Sequence, residues 1–167
     1  MNRKKLKPNH QKADGAKLRA TLLRLLAKRD YSYQELVSKL STRGYDLAMI
    51  NQLLDAFVEK GYIDDTRFAT HYVKTRLKRG FGPKRIRLEL KMRGIDDAII
   101  AEQTKIADND WLEEMQTLLS KRMTTEGMQG PQQKAKFVRF FLNRGYTHEQ
   151  IFTLLNDCLH DLTEISN

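Results

Sequence analysis

Residues 75–94 read TRLKRGFGPKRIRLELKMRG, where eight of twenty side chains are Lys or Arg and Glu89 is the one acid. The cations are Arg76, Lys78, Arg79, Lys84, Arg85, Arg87, Lys91 and Arg93. Like charges at this density repel one another, so the segment calls for an anionic partner. The chemistry on offer is electrostatic capture, in which guanidinium and ammonium groups hydrogen-bond phosphate or carboxylate oxygens. At about 100° per residue after Pro83, Lys84, Arg87 and Lys91 share a helical face apart from that of Ile86 and Leu90. Upstream, Arg67, His71, Lys74 and Lys78 form a second stripe. Arg76 and Arg79 fall nearer the apolar side, where structural roles are expected. Six neutralised phosphates would give log affinity a slope of about −5 against log salt on duplex DNA, and less on single strands. The bland alternative is a solvated face balanced by nearby acids. Asp96, Asp97, Glu102, Asp108, Asp110, Glu113 and Glu114 follow at once, making the chain bipolar and leaving room for a protein partner.

No other group of residues has the spacing of a reaction centre. His10, His71, His148 and His160 are scattered, without HExxH spacing or a cysteine to share a metal. RGFG at 79–82 has two glycines but joins helices and lacks the strand of a phosphate loop. Its Gly80-Phe81-Gly82 is small enough for close approach to another backbone. Asp64-Asp65 could be imagined on a metal, but a helix N-terminus explains it more simply. Trp111 opens an amphipathic helix and reads as core. The chain is expected to be no enzyme and to need no cofactor and no metal.

The surrounding composition is that of a globular protein. The 167 residues are 40% hydrophobic and 31% charged, with only three prolines, and the net charge is +9. That balance points to a polyanionic partner, nucleic acid first. The single cysteine, Cys158, excludes an internal disulfide and suits a reducing compartment. No apolar run approaches the roughly 20 residues that span a bilayer. The start MNRKKLKPNHQK is basic without a signal-peptide core. A soluble, cytoplasmic protein without membrane contact is expected.

The elements that hold these charges repeat three times. RGY at 43–45, RGI at 93–95 and RGY at 144–146 place glycines 50 and 51 residues apart. Apolar residues stand eight and four positions before each glycine (Leu36 and Leu40, Ile86 and Leu90, Phe137 and Phe141), and isoleucine six after (Ile50, Ile100, Ile151). This is one helix face ended by a left-handed glycine, then a second helix capped by Asp46, Asp96 or Thr147. Ser32 with Glu35, and Thr147 with Gln150, have capping-box spacing. Gly82-Pro83 and Gly130-Pro131 open the middle helices of the second and third units. A preceding helix turns Leu18, Leu22, Leu25 and Leu26 inward in the first unit, and Phe68, Ala69, Tyr72 and Leu77 in the second. Leu112, Met115, Leu118, Leu119 and Met123 do so in the third, whose middle helix has about one extra turn. The expected fold is all-α, with about nine helices in three tandem helix-turn-helix-like repeats forming an elongated, curved array. The boundaries are a flexible basic leader over 1–14, then repeats over 15–62, 63–108 and 109–164.

GYIDDTRFATHYVKTRLKRGFGPKRIRLELKMRGI, residues 61–95, closely resembles the central signature of the RecX family, bacterial regulators of the recombinase RecA. RDYSYQELVSKLSTRGY in the first repeat matches too, and FVRFFLNRGYTHEQI in the third follows more loosely, so the resemblance spans nearly the whole chain. Ile63 stands where leucine is common, a swap that leaves burial intact. The resemblance implies a protein that lies in the groove of the RecA filament on single-stranded DNA. There it would inhibit ATP hydrolysis, strand exchange and co-protease activity, by blocking growth or promoting disassembly. The residues expected to meet RecA or the enclosed DNA are Arg67, Lys74, Arg76, Lys78, Arg79, Lys84, Arg85, Arg87 and Lys91, on a chain expected to be a monomer. The alternative is an autonomous DNA-binding protein that uses its helix-turn-helix-like repeats directly.

Overall fold

A computed structural model describes residues 8–106, 108–122 and 131–164, and the side chains of 14–105, 111–121 and 131–156. The leader over 1–7, Met123, Gly130 and the side chain of Cys158 lie outside the described residues. Among the described residues there are nine α-helices and no strand. They are α1 (Pro8–Leu26), α2 (Tyr33–Ser41), α3 (Leu47–Glu59), α4 (Asp65–Lys78), α5 (Pro83–Lys91), α6 (Asp97–Ile106), α7 (Asp108–Arg122), α8 (Pro131–Arg144) and α9 (His148–Glu164). Helix α1 therefore starts inside the stretch read as leader.

The threefold register is a burial register. Leu36, Leu40 and Ile50, then Ile86, Leu90 and Ile100, then Phe137, Phe141 and Ile151 are all buried. Gly44, Gly94 and Gly145 have φ of 83°, 73° and 88°, so the chain turns left-handed after each middle helix. Tyr45 N–H then reaches back to the Leu40 carbonyl at 3.4 Å, and Tyr146 N–H to that of Phe141 at 3.1 Å. Helices α2 and α5 have nine residues each and α8 has 14, which is the extra turn expected in the third repeat.

The chain divides into two compact units, residues 1–68 with 93–95, and residues 69–92 with 96–167. In the first, α1, α2 and α3 enclose a core of Leu18, Leu22, Leu36, Leu40, Ile50, Leu54 and Phe57. Each such side chain contributes about 1.5–3 kcal/mol by leaving water. Ser32 caps α2 by accepting from Glu35 N–H at 3.1 Å, and its own hydroxyl donates to the Arg93 carbonyl at 2.7 Å. A Cβ on Gly94 would lie 2.5 Å from that of Gln34, so the Arg93–Gly94 turn sits hard against the start of α2.

In the second unit α5 packs on α6, and α7 and α8 pack on α9. Trp111, Met115, Phe141 and Tyr146 are buried there. The start of α5 meets the turn after α8 through the backbone. Gly82 N–H donates to the Arg144 carbonyl at 2.8 Å and Lys84 N–H to the Gly145 carbonyl at 3.0 Å. A Cβ on Gly82 would stand 2.5 Å from the Gly145 carbonyl carbon, the close backbone approach expected of this loop. Thr147 and Gln150 form the full capping box that opens α9, with reciprocal bonds of 3.0 and 3.1 Å.

Candidate basic interface

Asp64 and Asp65 are helix-capping groups. Asp64 accepts from Arg67 N–H at 2.9 Å at the start of α4. The Asp65 carboxylate accepts Tyr33 N–H at 2.9 Å, and burial pushes it above the usual carboxylate range against that bond. Arg67 covers the carbonyls of Gly61 and Tyr62, each at 3.1 Å, which closes the end of α3. Its role in this unit is thus to satisfy backbone acceptors past a helix C-terminus.

In the second unit the cations sort by partner. Arg76 grips Glu89 at two points, with Nε to Oε2 at 2.6 Å and Nη2 on Oε1. Tyr72 donates to the same carboxylate at 2.8 Å and Arg85 Nε at 3.1 Å. Burial alone would raise Glu89, but bonds from Arg76, Tyr72 and Arg85 override it and hold the carboxyl at about 2. The bond to Glu89 likewise raises Arg76, which stays charged. Beside this pair the Phe81 ring lies 4.0 Å from the guanidinium carbon of Arg76, 4.4 Å from that of Arg85 and 5.5 Å from that of Arg144. Arg76 is thus committed to Glu89 and mostly buried.

Arg87, which helical geometry groups with Lys84 and Lys91 apart from the apolar face, is exposed, and its Nε donates to the Thr104 hydroxyl of α6 at 2.9 Å. Lys91 bonds Asp97 at 3.1 and 3.2 Å, with both side chains well exposed. Arg79, for which a structural role was expected, has an exposed side chain, and its carbonyl accepts from Arg144 at 2.8 Å. The side chains of Lys74, Lys78, Arg79 and Lys84 are exposed and have no polar partner among the described residues. They flank the 79–82 loop, two at the end of α4, one in the loop and one at the start of α5.

Sequence reasoning missed two contributors. Lys105 joins Arg87 and Lys91 around an open groove between α5 and α6, floored by Leu88, Ile100 and Ala101. Arg144 donates to the carbonyls of Arg79 and Gly80 at 2.8 and 3.0 Å, so the third repeat braces the cationic loop. The shared Arg-Gly-Tyr triplet was the signal for Arg144, and Lys105 left none. Among the described residues no group of three or more His, Cys, Asp or Glu could hold a metal, and no helix is long and apolar enough to cross a membrane.

Residues 19–56 match the model of the first three-helix domain of RecX, and residues 64–102 that of the second. The regulatory protein RecX of Chromohalobacter salexigens is 41% identical over 129 residues, covering 77% of this chain and 84% of that protein. The one from Halorhodospira halophila is 35% identical over 134 residues, covering 80% and 83%. A crystal structure of RecX from Lactobacillus salivarius, at 23% identity, superposes with a TM-score of 0.78 over 87% of this chain and 97% of that one. A second crystal structure of regulatory protein RecX, at 19% identity, gives 0.74 over 93% and 82%. The two structures share the all-α fold, and the identities to the two curated proteins extend across most of both chains. This chain belongs to the RecX family, whose named members are regulatory proteins and not enzymes.

Proposed function

We propose that this protein binds the RecA filament on single-stranded DNA and lowers its recombinase, ATPase and co-protease activities. The observation that carries this reading is the set of four exposed cations, Lys74, Lys78, Arg79 and Lys84, unpaired among the described residues and flanking the α4–α5 loop. Cations held for folding have acceptors within the chain, as Arg76 has Glu89 and Arg87 has Thr104. These four instead keep their donors for an outside anion. Arg85 and Lys91 are also exposed, each bonded to an acid, Glu89 and Asp97, while Arg67, Arg76 and Arg87 bond groups of the chain itself. The α5–α6 groove supports a protein as well as a nucleic-acid contact. Leu88, 61% exposed, Ile100 and Ala101 give it apolar surface, and Arg87, Lys91, Lys105 and Asp97 line it with both signs of charge.

The test is the ATPase rate of RecA on single-stranded DNA, with this protein titrated far below the RecA concentration. Binding to the same DNA without RecA is measured at matched salt. Inhibition at substoichiometric amounts with weak bare-DNA affinity is the expected result. A rate that falls only when the protein suffices to coat the DNA would replace this reading with direct DNA binding.

A further inference from the structure

A like joint is built twice inside this chain, once through a side-chain hydroxyl and once through backbone N–H groups, and the parts for a third go unused among the described residues. In each joint the first turn of a middle helix sits on the Arg-Gly turn that follows the next middle helix. At the first, the Ser32 hydroxyl bonds the Arg93 carbonyl and Gln34 fills the space over Gly94. At the second, Gly82 and Lys84 N–H groups bond the carbonyls of Arg144 and Gly145, and Arg85 fills the space over Gly145. A Cβ on Gly145 would lie 2.5 Å from that of Arg85, so the fit is close.

The remaining turn is Arg43-Gly44-Tyr45, the same triplet as Arg144-Gly145-Tyr146. It has the same left-handed glycine, at φ 83°. Yet nothing among the described residues lies within 4 Å of a Cβ on Gly44, and the carbonyls of Arg43 and Gly44 accept no hydrogen bond from them. Arg43 turns back onto the Lys39 carbonyl of its own helix at 2.9 Å. The complementary part is also present. Pro131 opens α8 as Pro83 opens α5, each preceded in sequence by glycine, and residues 131–136 are all exposed. In a solenoid the end repeats normally diverge to cap the array. Here the free acceptor and the free donor instead duplicate the pair that docks internally.

We propose that the Arg43–Tyr45 turn is a docking position for a second copy of this chain, filled by the first turn of that copy's α8. Gln132 N–H would take the place of Lys84 N–H, bonding the Gly44 carbonyl of the next molecule, and Gln133 would take the place of Arg85. The contact is heterologous and does not close, so it strings molecules head to tail. Being small and polar, it is weak in dilute solution, where the chain stays a monomer. It matters where a linear template holds copies in series, because effective concentration then replaces bulk concentration. The contact does not depend on what that template is.

The experiment uses the full chain with Cys158→Ser, as two single-cysteine proteins, Arg43→Cys and Gln133→Cys. They are mixed at high concentration with a short bis-maleimide. The expected result is that the mixed 43–133 dimer exceeds both like dimers several-fold. Adding Gly44→Asn to the Arg43→Cys protein should return the yield to the collisional level with the melting curve unchanged. Asparagine tolerates the left-handed turn, while its side chain occupies the vacant space. Three dimers in statistical proportions, or a mixed dimer indifferent to Gly44→Asn, would overturn the proposal. So would a mixed dimer that forms only after deletion of residues 1–7, since the leader would then be the occupant of the turn. None of these readouts involves RecA, so the proposed function stands or falls separately.

Discussion

Arg76 and Glu89, 13 residues apart on successive helices, form a two-point ion pair that Tyr72 and Arg85 complete from either side. The pair ties α4 to α5 beneath the cationic loop, with both side chains about one-sixth exposed at 17% and 16%. One acid thus orders three donors within a stretch that is otherwise all positive.

Glu89→Gln leaves Arg76 without its counter-charge in a mostly buried position. The expected loss is about 2 kcal/mol, below the roughly 3–5 kcal/mol for breaking a fully buried pair because some water reaches this one. Urea denaturation checks the value. The pH dependence has a definite sign. The folded-state carboxyl sits at about 2, below the ordinary value of 4.5, so its contribution is present above 4.5 and is lost as pH falls toward 2. Glu89→Gln should therefore flatten the stability curve in that acid window and leave its slope near neutrality unchanged.

Replacing Lys74, Lys78, Arg79 and Lys84 together by alanine removes no hydrogen bond or ion pair made with the described residues. The melting temperature should shift by no more than a few degrees, while inhibition of RecA is lost. If each cation meets one phosphate of single-stranded DNA, the log–log salt slope of filament binding should shrink by roughly 3. Arg87→Ala is the contrasting variant. It removes the donor that Thr104 accepts, and a cost of about 1–2 kcal/mol in stability should appear first.

Gly145→Ala and Gly44→Ala make the same chemical change at equivalent turns with different results. Both pay for a left-handed alanine, about 1–2 kcal/mol. At Gly145 the new methyl also meets the Arg85 backbone nitrogen at 2.6 Å, whereas at Gly44 it meets nothing among the described residues. Chemical denaturation should show Gly145→Ala losing more than about 3 kcal/mol and Gly44→Ala about half of that.

Ser32→Ala removes a cap and a tie in one step, because the hydroxyl both accepts from Glu35 N–H and donates to the Arg93 carbonyl. A loss of about 2 kcal/mol is expected. Ser32→Thr should restore part of the cap, and hydrogen exchange at Glu35 should report it.

What the sequence reveals and what it hides divide along physical lines. The turns at Gly44, Gly94 and Gly145, the caps at Ser32, Asp46 and Thr147, and the nine buried register positions all follow from short-range spacing. Periodicity and capping act over one or two turns, so the chain displays them openly. The partners of Arg87 and Lys91 depend on how α6 packs against α5, which a helical wheel of α5 alone does not contain. For the same reason Arg67 looked like one of a surface stripe, although it closes the end of the preceding helix. Arg79 depends on a distant partner too. Its carbonyl accepts from Arg144 of the third repeat, while its side chain is exposed just past the end of α4.

Trp111 is the sole tryptophan of the chain, is 1% exposed, and belongs to the second unit. Its fluorescence is accordingly a private reporter. Unfolding of the second unit moves that chromophore into water and red-shifts its emission. Far-ultraviolet ellipticity, by contrast, sums over helices in both. Overlaying the two melting curves of the unmodified protein therefore separates a single cooperative transition from two sequential ones, with no label and no mutation.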